Sequence, residues 1–235
     1  MRIAQINTVS YGSTGKIMLQ ISEKAREKLH QVRTFSPVPA GKRRAALAQI
    51  DGHTHFGSWL ANTVNLTVGR FTGYQNCFSL FSTRSLIKQL KAFSPDIIHL
   101  HNLHNTYIDL SRLFSYIKKN NIKVIWTLHD CWSFTGQCPH FVVSKCDKWK
   151  TGCYKCPSYR EYPSAYVDRT KAMWRKKKKW FTGVKDMTIV TPSHWLADLV
   201  KQSFLKDYPV KVLNNGINLS AFVHRPNRQY QRGLF

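Results

Sequence analysis

SPDIIHLHNLHNTYIDLSRLFSYIKKNNIKVIWTLHD, residues 94–130, packs a strand, a helix and a second strand into one short stretch. Ser94-Pro95 halts whatever helix precedes it, because proline disfavours helical backbone at the residue before it. Asp96 to His101 then reads as a buried strand, Leu110 to Lys119 as a helix, and Lys123 to Leu128 as the next strand. Two short apolar strands joined through a helix imply a right-handed crossover, and so a parallel pair. Working outward, the alternation continues. Ile3 to Val9 is a short strand, Tyr11 to Lys16 a glycine-bearing turn, and Ile17, Leu19, Ile21, Ala25 and Leu29 suit a helix ending near His30. Residues 31–38 suit a second strand. Beyond a cysteine-rich segment, 131–162, come a basic helix (Val167 to Phe181), a strand (Met187 to Val190), a helix (His194 to Phe204) and a last strand (Val210 to Leu213). Residues 43–93 carry scattered aromatics, and only their end, Ser85 to Phe93, reads as a helix. The pattern is that of an α/β fold with a doubly wound parallel sheet.

The chain has 235 residues, enough for one large domain or for one domain and a fragment of another. Its 36 Lys and Arg against 12 Asp and Glu give a net charge of +24, which predicts anionic company: nucleic acid, an acidic membrane surface or phosphorylated substrates. The start reads as a strand and not a leader peptide, and no apolar run approaches the ~20 residues that span a bilayer. A cytoplasmic setting is therefore expected, in which six cysteines favour metal ligation or plain burial over disulfides.

Ligands of such sheets bind at the carboxyl ends of the strands, which would gather three motifs on one rim. Gly12-Ser13-Thr14-Gly15 with Lys16 opens a helix whose free N–H groups could face a phosphate or a sugar oxygen; the plainer reading is a strand-to-helix turn capped by Ser13 or Thr14. His99, His101 and His104 could chelate a metal, or His99 could be a core histidine while His101 and Asn102 line a cleft. His129 and Asp130 are candidate catalytic residues, since a neutral imidazole at a strand end can take a proton from a hydroxyl; alternatively they merely cap the following turn.

Two motifs lie off the rim. Cys138, Cys146, Cys153 and Cys156 have the spacing C-x7-C-x6-C-x2-C, suited to a structural zinc in a segment with too few apolar residues to pack itself. Two disulfides or four buried thiols are the other readings, and no catalytic metal is expected. Trp174, Arg175, Lys176, Lys177, Lys178, Lys179 and Trp180 set five cations between two tryptophans, a pattern that suits an anionic bilayer with the rings at headgroup level. A solvated helix face is the alternative.

INTVSYGSTGKI, PDIIHLHNLH, WTLHDCWSFTGQC, KWKTGCYKCP, TIVTPSHWLADLVKQSF and VKVLNNGINLSAF together resemble the N-terminal half of family 4 glycosyltransferases, over Met1 to about Phe222. Within that family they look closest to the branch that builds bacterial capsule, colanic-acid and O-antigen polysaccharides. The resemblance implies a Rossmann-like, acceptor-binding domain of a GT-B enzyme, residues 1–222. Gly12, Ser13 and Gly15 would approach the donor phosphates and the acceptor, with Lys16 beside them. His101 and Asn102 match the strand end preceding His129, which the family implicates in sugar contact and turnover. Asn215, Gly216 and Asn218 match a segment leading to the second domain. The implied reaction is transfer of a hexose, with retention, from a nucleotide-diphosphate sugar to a lipid-linked oligosaccharide at the inner face of the membrane. Residues 223–235 do not resemble the expected continuation into a donor-binding domain, so the chain is expected to be the acceptor-side half, inactive alone, with a separate C-terminal half or partner glycosyltransferase supplying the rest. Two rivals stand beside this reading: a basic zinc-containing module that binds nucleic acid, which the doubly wound pattern disfavours, and a non-catalytic partner subunit of a glycosyltransferase.

Overall fold

A computed structural model of the chain describes residues 1–38 and 50–216. Seven parallel strands form one sheet in the order β3-β2-β1-β4-β5-β6-β7. They are β1 (Arg2–Ile6), β2 (Gln31–Pro37), β3 (His53–Phe56), β4 (Ile97–Leu100), β5 (Lys123–Thr127), β6 (Met187–Thr191) and β7 (Val210–Val212). The helices are α1 (Gly12–Glu27), α2 (Trp59–Thr72), α3 (Leu80–Phe93), α4 (Leu110–Lys119), α5 (Thr170–Phe181) and α6 (His194–Lys201). The chain winds outward from β1 to β3, then returns to β4 on the other flank of β1. That reversal opens a crevice at the carboxyl ends of β1 and β4, where connections leave in opposite directions.

The doubly wound α/β expectation holds, and the elements follow from their side chains. β4 is buried along its whole length, as a strand covered on both faces must be. In α4, Leu110, Leu113, Phe114 and Ile117 recur at helical spacing and are buried, and Asp109 Oδ1 accepts the Arg112 N–H at 3.0 Å to cap the helix. The central aromatic knot is Trp126 of β5, its ring centroid 5.8 Å from Phe114 and 4.8 Å from Phe181. α3 closes on Ser94 at a left-handed φ of 51° just before Pro95.

Three expectations need correcting. β3 and α2 were not visible in the sequence. The four residues of β3 are His-Thr-His-Phe, held by Thr34 and Ser36 of β2 hydrogen bonding to His53 at 2.8 and 2.9 Å rather than by an apolar face. Second, the 131–162 segment packs itself after all: Phe134, Phe141 and Trp149 are buried and in ring contact. Third, the tryptophans of α5 do not face outward. Trp174 is 8% exposed, Trp180 9%, and Lys177 not at all. Thr170, Met173, Trp174, Lys177 and Phe181 fall three or four apart, so the helical repeat turns all of them onto the buried stripe. Arg175, Lys176, Lys178 and Lys179 remain on the surface. The proposed tail, 223–235, lies outside the described residues.

Candidate active site

The crevice is tied together by Asn7, one residue past β1. Its Oδ1 accepts the Asn102 N–H at 3.1 Å, and its Nδ2 donates to Val9 O at 2.8 Å and to Thr14 Oγ1 at 3.2 Å. One side chain thus joins the end of β4 to the first turn of α1. That helix starts at Gly12 itself, so Ser13 and Thr14 sit inside the first turn, and neither supplies the expected side-chain cap. Gly12 has a φ of +68°, and a Cβ on Gly15 would stand 2.6 Å from the Ser10 carbonyl carbon. Both glycines are therefore demanded by the backbone. Gly12, Ser13 and Lys16 are exposed, and no acidic residue occupies the first turn, which leaves the positive end of the helix open to an anion.

The His101 and His129 rings meet edge to edge and nearly coplanar across the ends of β4 and β5, with centroids 5.6 Å apart and planes 15° apart. They line one cavity with Asn102, His104, Asp130 and Trp132. Their proton positions follow from Ser22. The Ser22 hydroxyl donates to Met18 O, so it accepts from Gln5 Nε2 at 2.7 Å, and Gln5 Oε1 is left facing His101 Nε2 at 2.9 Å. His101 Nε2 must therefore donate, and its Nδ1, as the bare nitrogen of a neutral ring, accepts from His129 Nε2 at 3.3 Å. His129 Nδ1 is left with the free lone pair, the nitrogen that can take a proton. Burial holds the pKa of His129 below the ordinary histidine value and that of His101 well below it, so both rings are neutral near neutrality. His99 is the core histidine: it is buried, its Nε2 is 2.8 Å from Thr127 Oγ1, and burial lowers its pKa to about 4.

Asp130 turns to other partners. Its Oδ1 accepts the Trp132 N–H at 2.9 Å and its Oδ2 lies 3.2 Å from His104 Nε2. Burial would raise its carboxyl, but His104 and the Trp132 N–H outweigh that and hold it below the usual carboxylate range. Both oxygens are engaged, so the geometry makes Asp130 a clamp for the loop rather than a partner of His129. Tyr162 completes the clamp, its hydroxyl 3.0 Å from His104 Nδ1 and donating to Asn105 Oδ1 at 2.9 Å. Asn105 and Thr106 beside it take φ values of 77° and 54°. For a β-branched threonine the left-handed region costs roughly 1–2 kcal/mol, and such strain gathers at functional loops.

The sequence reading missed Gln5, Asn7 and Tyr162. Gln5 alternates with Ala4 and Ile6 and looks like the outward residue of a strand, yet it is wholly buried. Its polarity inside a central strand was the available signal. Asn215 and Gly216 emerge exposed after β7, on the same rim but with β6 and β5 between them and β4. Asn218 lies outside the described residues. The four cysteines, 138, 146, 153 and 156, do converge: they line a second cavity, beneath the 131–162 segment and against α5.

A doubly wound α/β domain with a histidine-lined crevice at its switch point and an open helix N-terminus beside it is built to hold a polar or anionic ligand. Residues 14–221 match Glycosyltransferase Family 4, and the chain belongs to that family. WcaC of Escherichia coli (strain K12), a provisionally named colanic acid biosynthesis glycosyl transferase, is 31% identical over 134 residues, a match spanning 54% of this chain and 32% of that protein. The match thus takes in about a third of the length of that relative. Among solved structures, MurG of Acinetobacter baumannii aligns with 94% of this chain and 68% of its own at 12% identity and a TM-score of 0.39. The Streptomyces sp. SF2575 glycosyltransferase SsfS6, complexed with thymidine diphosphate, aligns over 61% and 41% at 15% identity and a TM-score of 0.32. Likenesses at that level say nothing about ligands.

Proposed function

We propose that these residues form the acceptor-side domain of a glycosyltransferase that passes a hexose from a nucleotide-diphosphate sugar to a lipid-linked oligosaccharide in surface-polysaccharide assembly. The observation that carries the reading is the Gln5–His101–His129 chain, which leaves an unprotonated imidazole nitrogen on a residue lining the crevice that Asn7 ties to the first turn of α1. His129 Nδ1 would hold or deprotonate an acceptor hydroxyl, and the exposed turn Gly12-Ser13 with Lys16 would stabilise charge growing on the leaving diphosphate. Asn215 and Gly216 are proposed to line the passage toward a donor-binding half.

A peripheral seat on the inner membrane fits the surface. Arg175, Lys176, Lys178 and Lys179 face solvent, and beside the start of α5 the exposed rings of Phe71 and Tyr166 meet at 5.0 Å. Apolar rings next to a basic stripe are what an anionic bilayer binds. Among the described residues no helix is long and apolar enough to cross a membrane.

The test is transfer of label from nucleotide-diphosphate sugars into the lipid extract of membranes carrying lipid-linked oligosaccharides. Residues 1–235 taken by themselves should give little, and joining them with the C-terminal half of a family member should raise it. His129→Ala should abolish that rise; a full rise with the variant would sink the assignment.

A further inference from the structure

We propose that Cys138, Cys146, Cys153 and Cys156 bind one zinc ion as four thiolates, and that Lys177 supplies the charge that balances them. The inference rests on the cysteine segment and α5 alone, so it stands or falls apart from the transferase reading.

All four cysteines line one cavity, and none of them is in a disulfide. As placed, no three His, Cys, Asp or Glu side chains among the described residues form a group ready to hold a metal, so binding must draw the sulfurs inward. Burial pushes the Cys138, Cys153 and Cys156 thiols up and keeps them protonated without a metal, yet one backbone donor is already in place on a sulfur. Gly136 N–H donates to Cys153 Sγ at 3.1 Å. A thiol is a weak acceptor that seldom gathers amide donors, whereas a metal-bound thiolate is a strong one. The approach of Gly136 is deliberate, since a Cβ there would meet Thr170 O at 2.5 Å and Cys153 Cβ at 2.9 Å.

The second observation is the lysine behind them. Lys177 is fully buried, and its ammonium donates to Trp132 O at 2.6 Å and Thr135 O at 3.2 Å, with the Trp132 ring centroid 3.3 Å away. No carboxylate among the described residues forms an ion pair with it. Burial among neutral partners holds the Lys177 pKa well below the ordinary lysine value, so its charged form is costly there until a counter-charge is supplied. The peptide that joins Thr135 to Gly136 links it to the cysteines, its carbonyl accepting a hydrogen bond from Lys177 and its N–H donating to Cys153. Four thiolates around a divalent cation carry a net double negative charge, which supplies the missing counterion and strengthens both hydrogen bonds of that peptide. On binding, each thiol loses its proton to solvent as its sulfur–zinc bond forms, with no change of oxidation state.

The experiment is metal analysis of the full chain purified under reducing conditions, followed by exchange with cobalt. About one zinc per chain is expected, with the visible spectrum of a tetrahedral, four-thiolate cobalt centre. Serine at any one of the four positions should lower the zinc content and alter that spectrum, while Cys77→Ser and Cys131→Ser should change neither. Lys177→Met should lose zinc to a chelator about ten-fold faster, the scale set by groups just outside a metal's ligands. Protein without zinc and without a cobalt spectrum would overturn the site, as would two disulfides in thiol counts of the denatured chain. An unchanged rate of zinc loss from Lys177→Met would overturn the role of the lysine.

Discussion

His99 should make the fold acid-sensitive, and replacing it with glutamine should remove a known share of that sensitivity. The imidazole is buried beneath the crevice against Thr127 and His101, and the fold holds its pKa at about 4 because burial penalises the charged ring. In the unfolded chain it returns to about 6.5. Between those values the unfolded chain takes up a proton that the native state refuses, so stability falls as the pH drops from 6.5 toward 4 and levels off below it. At about 1.4 kcal/mol per pH unit, His99 alone withdraws about 2 kcal/mol by about pH 5 and about 3 kcal/mol by about pH 4. His99→Gln keeps a hydrogen-bonding group near Thr127 Oγ1 but cannot titrate. Urea unfolding at about pH 7.5 and about pH 5 measures both proteins. The variant should start less stable yet lose about 2 kcal/mol less on acidification. His101 and His129 shift in the same direction and leave a residual slope in each. Equal losses in the two proteins would refute the reasoning.

Gly136→Ala should destabilise the protein by about 1–3 kcal/mol, because its methyl group must displace Thr170 or Cys153; thermal melting checks this, and an unchanged midpoint would contradict the packing described. Gln5→Leu should cut complemented transfer about ten-fold by freeing the tautomer of His101, with the effect on kcat rather than KM; equal kinetics would dismiss the hydrogen-bonded chain. Changing Arg175, Lys176, Lys178 and Lys179 to glutamine should release the protein from anionic vesicles in a sedimentation assay, and Phe71→Ser should weaken binding at high salt as well. Retention of both variants would leave α5 a solvated face.

The sheet was legible because β1, β4, β5 and β6 are apolar runs separated by helices of ordinary length. β3 escaped notice because only Phe56 of its four residues is apolar, and the rest pair with β2 through the backbone ladder and the hydrogen bonds of His53, which no apolar pattern reports. The rim motifs were legible as residue types, and the structure joins the first turn of α1 and Asn102 through Asn7, and His129 through His101. Their roles were less so. Asp130 adjoins His129 in sequence but turns to His104, since neighbours past a strand end need not share a side. The run of cations on α5 misled because charge density hid the helical repeat. Lys177 falls in register with Trp174 and Phe181, and register decides burial whatever the charge.

The most direct test of the account is a nuclear magnetic resonance titration that follows the backbone amides and the histidine rings. The titrants are a short-chain polyprenyl-pyrophosphate-linked sugar and then a nucleoside diphosphate. The account predicts that the lipid-linked sugar moves the His129 and His101 ring signals and the amides of Gly12, Ser13 and Gly15, and that His129→Ala weakens its binding. Signals that stay still at the crevice, or that move only at other surfaces, would contradict it.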